Sequence, residues 1–165
     1  NLMSMARAYN IIANKGVDMG LHVLLKGNRT MPEVVLSPDV TDYITQLMTR
    51  VTQYGVSSKR AAIEGVSVAG KSGTTHTLSE SGHYEDEYIA SFAGFAPSNN
   101  PKVVIAVMVE QPRKNGYYGG QVAAPIFAKL LRLALSYYDS KEGTYVRGER
   151  ALSGATVGLA CKTRH

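Results

Sequence analysis

The chain has 165 residues, of which 44% are hydrophobic and 19% are charged, and its net charge is +5. This composition is typical of one globular domain, which at this length buries roughly 70% of its unfolded surface, and no apolar run approaches the ~20 residues that a membrane-spanning helix needs. A basic excess could indicate a nucleic-acid partner, but the sequence has no groove-reading motif and no interleaving of basic and aromatic residues, so we expect no nucleic-acid binding. The single cysteine, Cys161, excludes a disulfide within the chain.

Two helices are predicted in the first third of the chain. Residues 1–14 carry apolar side chains on one helical stripe, and Gly16 follows as a stop signal. After an irregular stretch over residues 17–36, Ser37 is a candidate N-cap, followed by Pro38 and Asp39 in the first turn of a second helix. The second helix ends at Gly55, and its apolar residues at helical spacing are Val40, Tyr43, Ile44, Leu47, Met48 and Val51.

Three strands are predicted next, over residues 66–74, 88–96 and 102–110. Residues 97–101 have a turn sequence rich in proline, serine and asparagine, so the last two strands are expected to form an antiparallel hairpin. The polar segment 75–87 between the first two strands is interpreted as a mobile surface loop.

A last helix is predicted over residues 122–138. Apart from a narrow polar stripe it is apolar, and we expect it to be buried on most sides. Residues 139–165 show no periodicity and are interpreted as a flexible basic tail, which leaves residues 1–138 as the folded unit. The order helix, helix, three strands, helix predicts an α+β fold in which an antiparallel three-stranded sheet is packed by helices.

One short motif, Lys71-Ser72-Gly73-Thr74, carries candidate chemistry. A Lys-[Ser/Thr]-Gly strand is one of three signatures of a group of serine acyl transferases, together with S-x-x-K and S-x-N. A motif this short is a weak signal, because a lysine on a strand is more often a solvated side chain. Its context is more specific: S-F-A-G-F-A-P follows at residues 91–97, and G-Y-Y-G-G at residues 116–120 precedes V-A-A-P-I-F at residues 122–127.

This order of segments resembles the C-terminal half of class B penicillin-binding proteins, in particular the division-specific (FtsI-type) peptidoglycan D,D-transpeptidases. Residues 2–9 and 13–16 look like the family's helix of pattern LQxARAYxxxANxG, and residues 35–37 and 59–71 also match the family's pattern. The resemblance covers about residues 1–138. It implies a partial penicillin-binding-protein/β-lactamase-like transpeptidase fold, and it leads us to expect that the half bearing the nucleophile precedes Asn1 in a longer parent protein.

The residue types at positions 71–74 suit the binding of a peptide that ends in a carboxylate. Gly73 has no side chain, so an extended peptide can lie against the backbone and pair as an added strand. Lys71 supplies positive charge for the carboxylate of a stem peptide or of a penicillin, and the hydroxyls of Ser72 and Thr74 can hydrogen-bond to it. The resemblance further implies that the Thr74 backbone N–H is one of two oxyanion-hole donors, the other being the N–H of the nucleophilic serine.

The nucleophile itself is absent from this sequence. The family's nucleophile is the serine of S-x-x-K, and no serine here is followed by a lysine three residues later. S-x-N occurs at residues 98–100, but after the Lys-Ser-Gly strand instead of before it, where turn chemistry explains it better. Ser67 lies inside a predicted strand and not at the strand-to-helix turn of a nucleophile elbow. Gly55-Val56-Ser57 stands where the family has Gly-Thr-Gly. The sequence therefore predicts half an active site, which alone should be neither acylated nor catalytically active.

Three tyrosines are further candidates for the site. The family has aromatic residues near the cleft at the positions of Tyr88, Tyr117 and Tyr118, so these side chains could form an aromatic wall. Packing of the hairpin and of the loop explains them equally well. Their binding role is therefore an expectation that rests on the resemblance.

Two histidines lie near the motif. His76 and His83, with Glu85 and Asp86, could suggest a metal site, but a polar loop without groups to orient metal ligands favours solvated side chains, and we expect no metal. His76 lies two residues after Thr74 and could also contact a ligand.

For the parent protein the resemblance implies an enzyme anchored in the inner membrane of a bacterium, with its catalytic domain in the periplasm and without a cofactor. Its expected partners are the peptidoglycan stem peptide, β-lactam antibiotics and proteins of the division machinery (divisome). The alternatives are a serine β-lactamase-like hydrolase and a non-catalytic binding or scaffold module. Because the family's sheet also uses strands from before the nucleophile, this chain would keep an unpaired edge or an uncovered face, and we expect it to self-associate or domain-swap.

Overall fold

The structure of the chain is a computed structural model that describes residues 1–21, 31–78, 84–112, 116–145, 156–157 and 161–163. In chain order the elements are α1 (Leu2–Ala13), β1 (Val17–Asp18), β2 (Glu33–Val34), α2 (Pro38–Tyr54), a 3-10 helix (Ser58–Ala61), β3 (Ala69–Leu78), β4 (Tyr84–Ala96), β5 (Val103–Glu110), α3 (Gly119–Tyr145), β6 (Thr156–Val157) and β7 (Cys161–Thr163). His83 and most of the predicted tail lie outside the described residues.

The middle layer is a sheet in which β3, β4 and β5 are antiparallel neighbours, as predicted. β4 and β5 form the expected hairpin, with Ala96 opposite Val103 next to the turn. The predicted loop over residues 75–87 is wrong for most of its length, because β3 continues to Leu78 and β4 already begins at Tyr84. Threonine, histidine and tyrosine are good strand residues where one face is exposed, so their polarity concealed the strand ends.

Helices cover both faces of the sheet, because successive strand residues point to opposite sides. One face packs against α3, and its buried residues are Ala90, Phe92, Ala96, Val103, Ile105, Val107 and Val109 from the sheet and Ala123, Ala124, Phe127 and Leu131 from α3. The other face packs against α1 and α2, and its buried sheet residues are Ala69, Ala93, Phe95, Val104 and Ala106. The α+β fold with a three-stranded antiparallel sheet packed by helices is therefore confirmed.

The ends of the first two helices follow the sequence signals. The Asn1 side chain accepts the Ser4 N–H at 2.9 Å, and the Ser37 hydroxyl accepts the Val40 N–H at 3.4 Å, so each helix has the side-chain cap that satisfies one of its unpaired donors. Gly16 follows α1 with φ 89°, and a Cβ there would lie 2.0 Å from the Leu36 carbonyl oxygen. Glycine is thus required where the chain leaves α1 and passes the start of α2.

Two short strands tie α1 to the segment before α2. β1 and β2 pair antiparallel, with Val17 opposite Val34, in a region that the sequence predicts to be irregular. The Arg7 side chain on α1 donates from Nε to the Asp18 carboxylate at 2.9 Å, and Lys15 forms an ion pair with Asp42 on α2. These contacts hold α1 and α2 side by side over the same face of the sheet.

α3 is longer and less enclosed than predicted. It passes the predicted end at residue 138 and continues to Tyr145, because a helix whose first turns are fixed extends at little further cost. Its outward side is exposed even at apolar positions such as Leu133, which is 62% exposed, so the expectation of burial on most sides is wrong.

Two described segments of the predicted tail are paired with the sheet. β6 and β7 run parallel to β5 along its outer edge, with Val104 opposite Val157 and Val107 opposite Cys161. The resulting order is β3-β4-β5, with β6 and β7 both beside β5, which leaves β3 at the opposite edge of the described sheet. The division of the chain at residue 138 and the flexibility of the tail remain predictions.

Among the described residues, no helix combines the length and the apolar character that crossing a membrane demands.

Candidate functional site

The motif residues 71–74 lie on β3, the edge strand of the sheet. Ser72 and Thr74 are opposite Phe92 and Ala90, two residues whose side chains belong to the α3 face of the sheet. Lys71 is opposite Ala93, which belongs to the α1 and α2 face. The two hydroxyls therefore share one face of the strand, and the lysine leaves from the other.

The Lys71 side chain is exposed and bends back to the edge of its own strand. Its Nζ donates to the Ser72 carbonyl oxygen at 2.8 Å. An ammonium group carries three donors, so this contact leaves it able to bind an anion as well. The positive charge thus lies beside the backbone of β3, where an added strand would pair.

Gly73 allows a close approach between β3 and β4. A Cβ at this position would lie 2.6 Å from the Ser91 hydroxyl oxygen of the opposite residue. A glycine at this position suits the approach of a substrate peptide, as the sequence predicts. The structure adds a second reason within the sheet itself, because the side chain of Ser91 occupies the space.

The loop that precedes β3 holds Ser72 from the α3 side. Ser58 begins the 3-10 helix, is buried, and has its hydroxyl oxygen 3.4 Å from the hydroxyl oxygen of Ser72. Arg60, in the same helix, donates from Nη1 to the Gln121 carbonyl at 3.5 Å. That carbonyl lacks its usual helical donor because Pro125, four residues later, has no N–H. The 3-10 helix, which directly follows Gly55-Val56-Ser57, is thereby attached to both the motif strand and α3.

The first residue of α3 binds directly to Thr74. The Gly119 N–H donates to Thr74 Oγ1 at 3.0 Å. A Cβ on Gly119 would lie 2.2 Å from the Gly73 carbonyl oxygen and 2.3 Å from that of Ser91, so only glycine permits this approach. The start of α3 is consequently fixed against the motif strand.

Four aromatic rings form a row next to Thr74. His76 contacts Tyr88 with ring centroids 4.4 Å apart, Tyr88 stacks on Tyr117 at 4.2 Å, and Tyr117 contacts Tyr118 at 4.3 Å. Tyr117 donates its hydroxyl to that of Tyr118 at 3.1 Å, and this hydrogen bond to its neutral form raises the pKa of Tyr117 above its usual value. The three predicted tyrosines are thus brought together beside β3.

The sequence pattern does not single out two residues of this arrangement, His76 and Gly119. The sequence predicts a loop at His76. In the structure β3 continues through this residue and puts its side chain on the same face as Thr74, two residues away. Gly119 was noticed only as part of a glycine-rich segment, because its contact with Thr74 spans 45 positions. A strand assignment through residue 76 would have found His76 from the period of two.

The remaining sequence candidates lie away from this row or form no cluster. Ser98 lies in the turn after β4, where its N–H donates to the carbonyl and hydroxyl oxygens of Ser67. Both serines therefore have a role in the hairpin. In the described part of the chain, His, Cys, Asp and Glu side chains form no group of three that could hold a metal ion.

Comparison with known proteins shows the family to which the chain belongs. The model of the penicillin-binding protein transpeptidase domain matches residues 1–132. The peptidoglycan D,D-transpeptidase FtsI of Buchnera aphidicola is 30% identical over 149 residues (87% of this chain, 26% of that protein), and FtsI of Escherichia coli is 31% identical over 153 residues (90% and 25%).

A solved structure shares the fold as well. The transpeptidase domain of penicillin-binding protein 3 from Burkholderia pseudomallei has a TM-score of 0.67 and 33% identity, over 88% of this chain and 43% of that one. The chain thus spans about a quarter of the length of the two curated relatives and less than half of the solved domain. The matched residues include the motif strand, the aromatic residues and the start of α3, and the chain belongs to the penicillin-binding protein transpeptidase family.

Proposed function

We propose that this chain forms the substrate-binding half of a peptidoglycan D,D-transpeptidase site whose other half lies elsewhere in a longer parent protein. The observation that carries the proposal is the motif strand β3, which has an unpaired outer side among the described strands and places Lys71 and the Thr74 hydroxyl beside it. An edge strand binds an extended peptide by backbone pairing, and the nearby cation selects one that ends in a carboxylate. The names of the FtsI relatives support the same activity.

Each group of the site then has a defined role. Lys71, Ser72 and Thr74 bind the terminal carboxylate, Gly73 admits the peptide, and Tyr88, Tyr117 and Tyr118 line the side of the cleft. The nucleophilic serine of the parent attacks the carbonyl carbon between the two terminal D-alanines of a stem peptide. The Thr74 N–H and the N–H of that serine stabilise the negative oxygen that forms, and one such donor is worth roughly 10²–10³ in rate.

The reaction proceeds through two acyl transfers. The C–N bond of the tetrahedral intermediate breaks, D-alanine leaves with a proton, and the stem peptide stays on the serine as an ester. An amine of a neighbouring strand then attacks this ester, forms the cross-link and returns the serine. A β-lactam would acylate the same serine, because its ring amide and carboxylate take the places of the D-Ala-D-Ala amide and carboxylate.

Labelling with a fluorescent penicillin tests whether the active site is divided between this chain and the rest of a longer parent protein. The chain alone should give no covalent band, because it has no S-x-x-K serine. A parent protein that adds the missing half should be labelled. A covalent band on the chain alone would refute the absence of a nucleophile, and a parent that never labels would favour a non-catalytic binding module.

Substitution of Lys71 in that parent tests the site itself. Lys71→Met removes a charge-assisted contact to the penicillin carboxylate, so the acylation rate should fall roughly 10- to 100-fold. Lys129→Met, which removes an exposed lysine from α3, is the matched control and should leave the rate unchanged. Equal rates for all three proteins would exclude Lys71 from the site.

We further expect the parent to act at the bacterial inner membrane, with this part of it in the periplasm and in contact with the divisome. The peptidoglycan D,D-transpeptidase activity in the names of the FtsI relatives, and the resemblance of this sequence to division-specific transpeptidases, support this expectation. Deacylation of the labelled parent distinguishes a transpeptidase from a β-lactamase-like hydrolase, since a hydrolase would release the penicillin quickly and turn over.

A further inference from the structure

The Thr74 hydroxyl is bound on one side by the start of α3. A threonine hydroxyl has one donor and two acceptor positions. The Gly119 N–H occupies an acceptor position at 3.0 Å, so the hydroxyl proton has to point elsewhere. Thr74 lies on the edge strand, where the proposed function places a ligand carboxylate.

We propose that Gly119 is a positioning residue, which orients the Thr74 hydroxyl as a hydrogen-bond donor toward a carboxylate bound along β3. The inference rests on the proposed function and adds a contact to it that the motif alone does not contain. A hydrogen bond from an oriented hydroxyl to a carboxylate is charge-assisted and roughly twice as strong as one to the neutral oxygen of an ester, so this contact adds to the preference for an acid that Lys71 provides.

The geometry permits no other residue than glycine at this point. A Cβ on Gly119 would lie 2.2 and 2.3 Å from two backbone carbonyl oxygens of β3 and β4, and one on Gly120 would lie 2.3 Å from the Ser57 side chain. Two consecutive glycines therefore bring the first turn of α3 against the motif strand. Any side chain at Gly119 would push the helix away and break the contact with Thr74.

The electrostatics of the helix end strengthen the effect. The first N–H groups of a helix have no partner within the helix and carry the positive end of its dipole. A hydroxyl that accepts from such a donor becomes a better donor itself, by roughly 10–30% per bond in estimates for hydrogen-bonded chains. The same contact fixes Tyr117 and Tyr118, which directly precede Gly119, at a set distance from β3.

The contact can be measured on the chain itself by amide hydrogen exchange with NMR detection. Thr74→Val removes the acceptor, so exchange at the Gly119 amide should accelerate roughly tenfold, whereas Thr74→Ser should retain the protection. Ser136→Ala removes an exposed hydroxyl from α3 and serves as the matched control, without effect at Gly119. Unchanged exchange in Thr74→Val would show that the contact does not form.

The orientation is tested by NMR titration of the chain with benzylpenicillin and with its neutral methyl ester. In the wild type and in Thr74→Ser, the acid should perturb the Thr74 and Gly119 amides and bind roughly tenfold more tightly than the ester. Thr74→Val and Gly119→Ala should reduce this preference, because they weaken binding of the acid more than binding of the ester, a result that a merely structural role would not produce. Should Gly119→Ala not fold, Thr74→Val carries the test.

The outcomes separate the inference from the proposed function. If the acid binds and its preference over the ester is as large in Thr74→Val as in the wild type, the inference is wrong and the proposed function stands. If neither ligand perturbs β3 in the wild type, the proposed ligand site is wrong and the orienting role falls with it, even where the exchange experiment confirms the contact between Thr74 and Gly119.

Discussion

At the scale of single residues, Thr52 shows how one hydroxyl positions the motif strand. Thr52 is buried on α2, and its hydroxyl contacts the Val68 carbonyl, immediately before β3 begins, as well as the Thr49 carbonyl within the helix. A buried carbonyl that loses its donor costs more than a surface one, because no water replaces the bond. Thr52 is therefore a link between α2 and the strand that carries the site.

Thr52→Val should lower the free energy of unfolding by about 1–2 kcal/mol, because valine has the same shape but leaves the Val68 carbonyl without this donor. Urea unfolding monitored by circular dichroism measures the loss. Thr49→Val is the control, since the Thr49 hydroxyl donates only within α2, to the Thr45 carbonyl. Equal losses in the two variants would contradict a link between the helix and the strand.

Asp18 makes stability depend on pH. Hydrogen bonds from the Arg7 side chain and then from the Gly20 N–H, which lies 2.9 Å from Oδ1, hold the pKa of Asp18 below its usual value. Its stabilising contribution is therefore complete above the unfolded pKa of about 3.9 and is lost as the pH falls through the folded value.

The Asp18→Asn variant should accordingly be less stable than the wild type at pH 7, and the difference should shrink as the pH falls below about 4. Thermal unfolding at a series of pH values measures this difference. Glu64→Gln, at an exposed position, should show no such convergence. A wild-type advantage over Asp18→Asn that persists undiminished at the lowest pH would argue against the ion pair with Arg7.

At the scale of elements, a pair of glycines lets β3 and β4 approach each other and admits a core ring. Gly70 lies opposite Gly94, and the Phe92 ring packs over Gly70 and contacts Phe127 of α3 with centroids 4.7 Å apart. A Cβ on Gly94 would lie 2.4 Å from the Ala69 carbonyl oxygen. The Ala69 carbonyl oxygen is a backbone atom, so no side-chain rotation can remove this clash.

Gly94→Ala should therefore destabilise the chain by about 1–3 kcal/mol, as overpacking of a close core generally does. Gly73→Ala provides the comparison, because its Cβ would meet only the Ser91 hydroxyl, which can rotate, and its loss should be smaller. Denaturant unfolding of both variants gives the two values. A larger loss in Gly73→Ala would show that the backbone contact at Gly94 is relieved by a small shift of the strands.

The sequence predicted those elements whose signals are local. Ser37 and Pro38 marked the start of α2, and the residues of the turn marked the hairpin, because caps and turns depend on neighbouring residues. Polar residues concealed the ends of β3 and β4. The contact between Thr74 and Gly119 joins distant positions, so no local pattern could contain it.

The buried side of α2 could not be predicted from apolar spacing. The structure buries Thr41, Met48 and Thr52, whereas Tyr43 and Leu47 are 64% and 44% exposed. Thr41 donates its hydroxyl to the Pro38 carbonyl at 2.8 Å, which satisfies the polar atom locally and leaves the methyl group to pack. Threonine therefore behaves as a core residue here, although a hydropathy pattern counts it as polar.

At the scale of the whole molecule, this choice of buried side leaves apolar surface exposed. Val40, Tyr43 and Leu47 follow one another at helical spacing on the outer side of α2, and Val34 and Val35 just before the helix are also exposed. We call these five residues the α2 patch. The outer side of β3 has no described strand beside it. Exposed apolar side chains and an open strand edge both favour association with another chain.

We therefore predict that the chain alone self-associates, with a second copy covering the α2 patch. Its sedimentation velocity should show a mass that rises with concentration, because burial of apolar side chains is the main favourable term in protein association. The double variant Tyr43→Lys and Leu47→Lys should shift the distribution toward the monomer. Leu133→Lys and Tyr137→Lys together are the matched control, since these two residues are at least as exposed and lie on α3, on the opposite face of the sheet, and they should leave association unchanged.

If only the control pair restores the monomer, the contact lies on α3. If both double variants associate as the wild type does, pairing along the open edge of β3 remains as the cause. A wild-type chain that sediments as a single monomeric species at every concentration would contradict the prediction and would mean that exposed side chains of the α2 patch are tolerated in water.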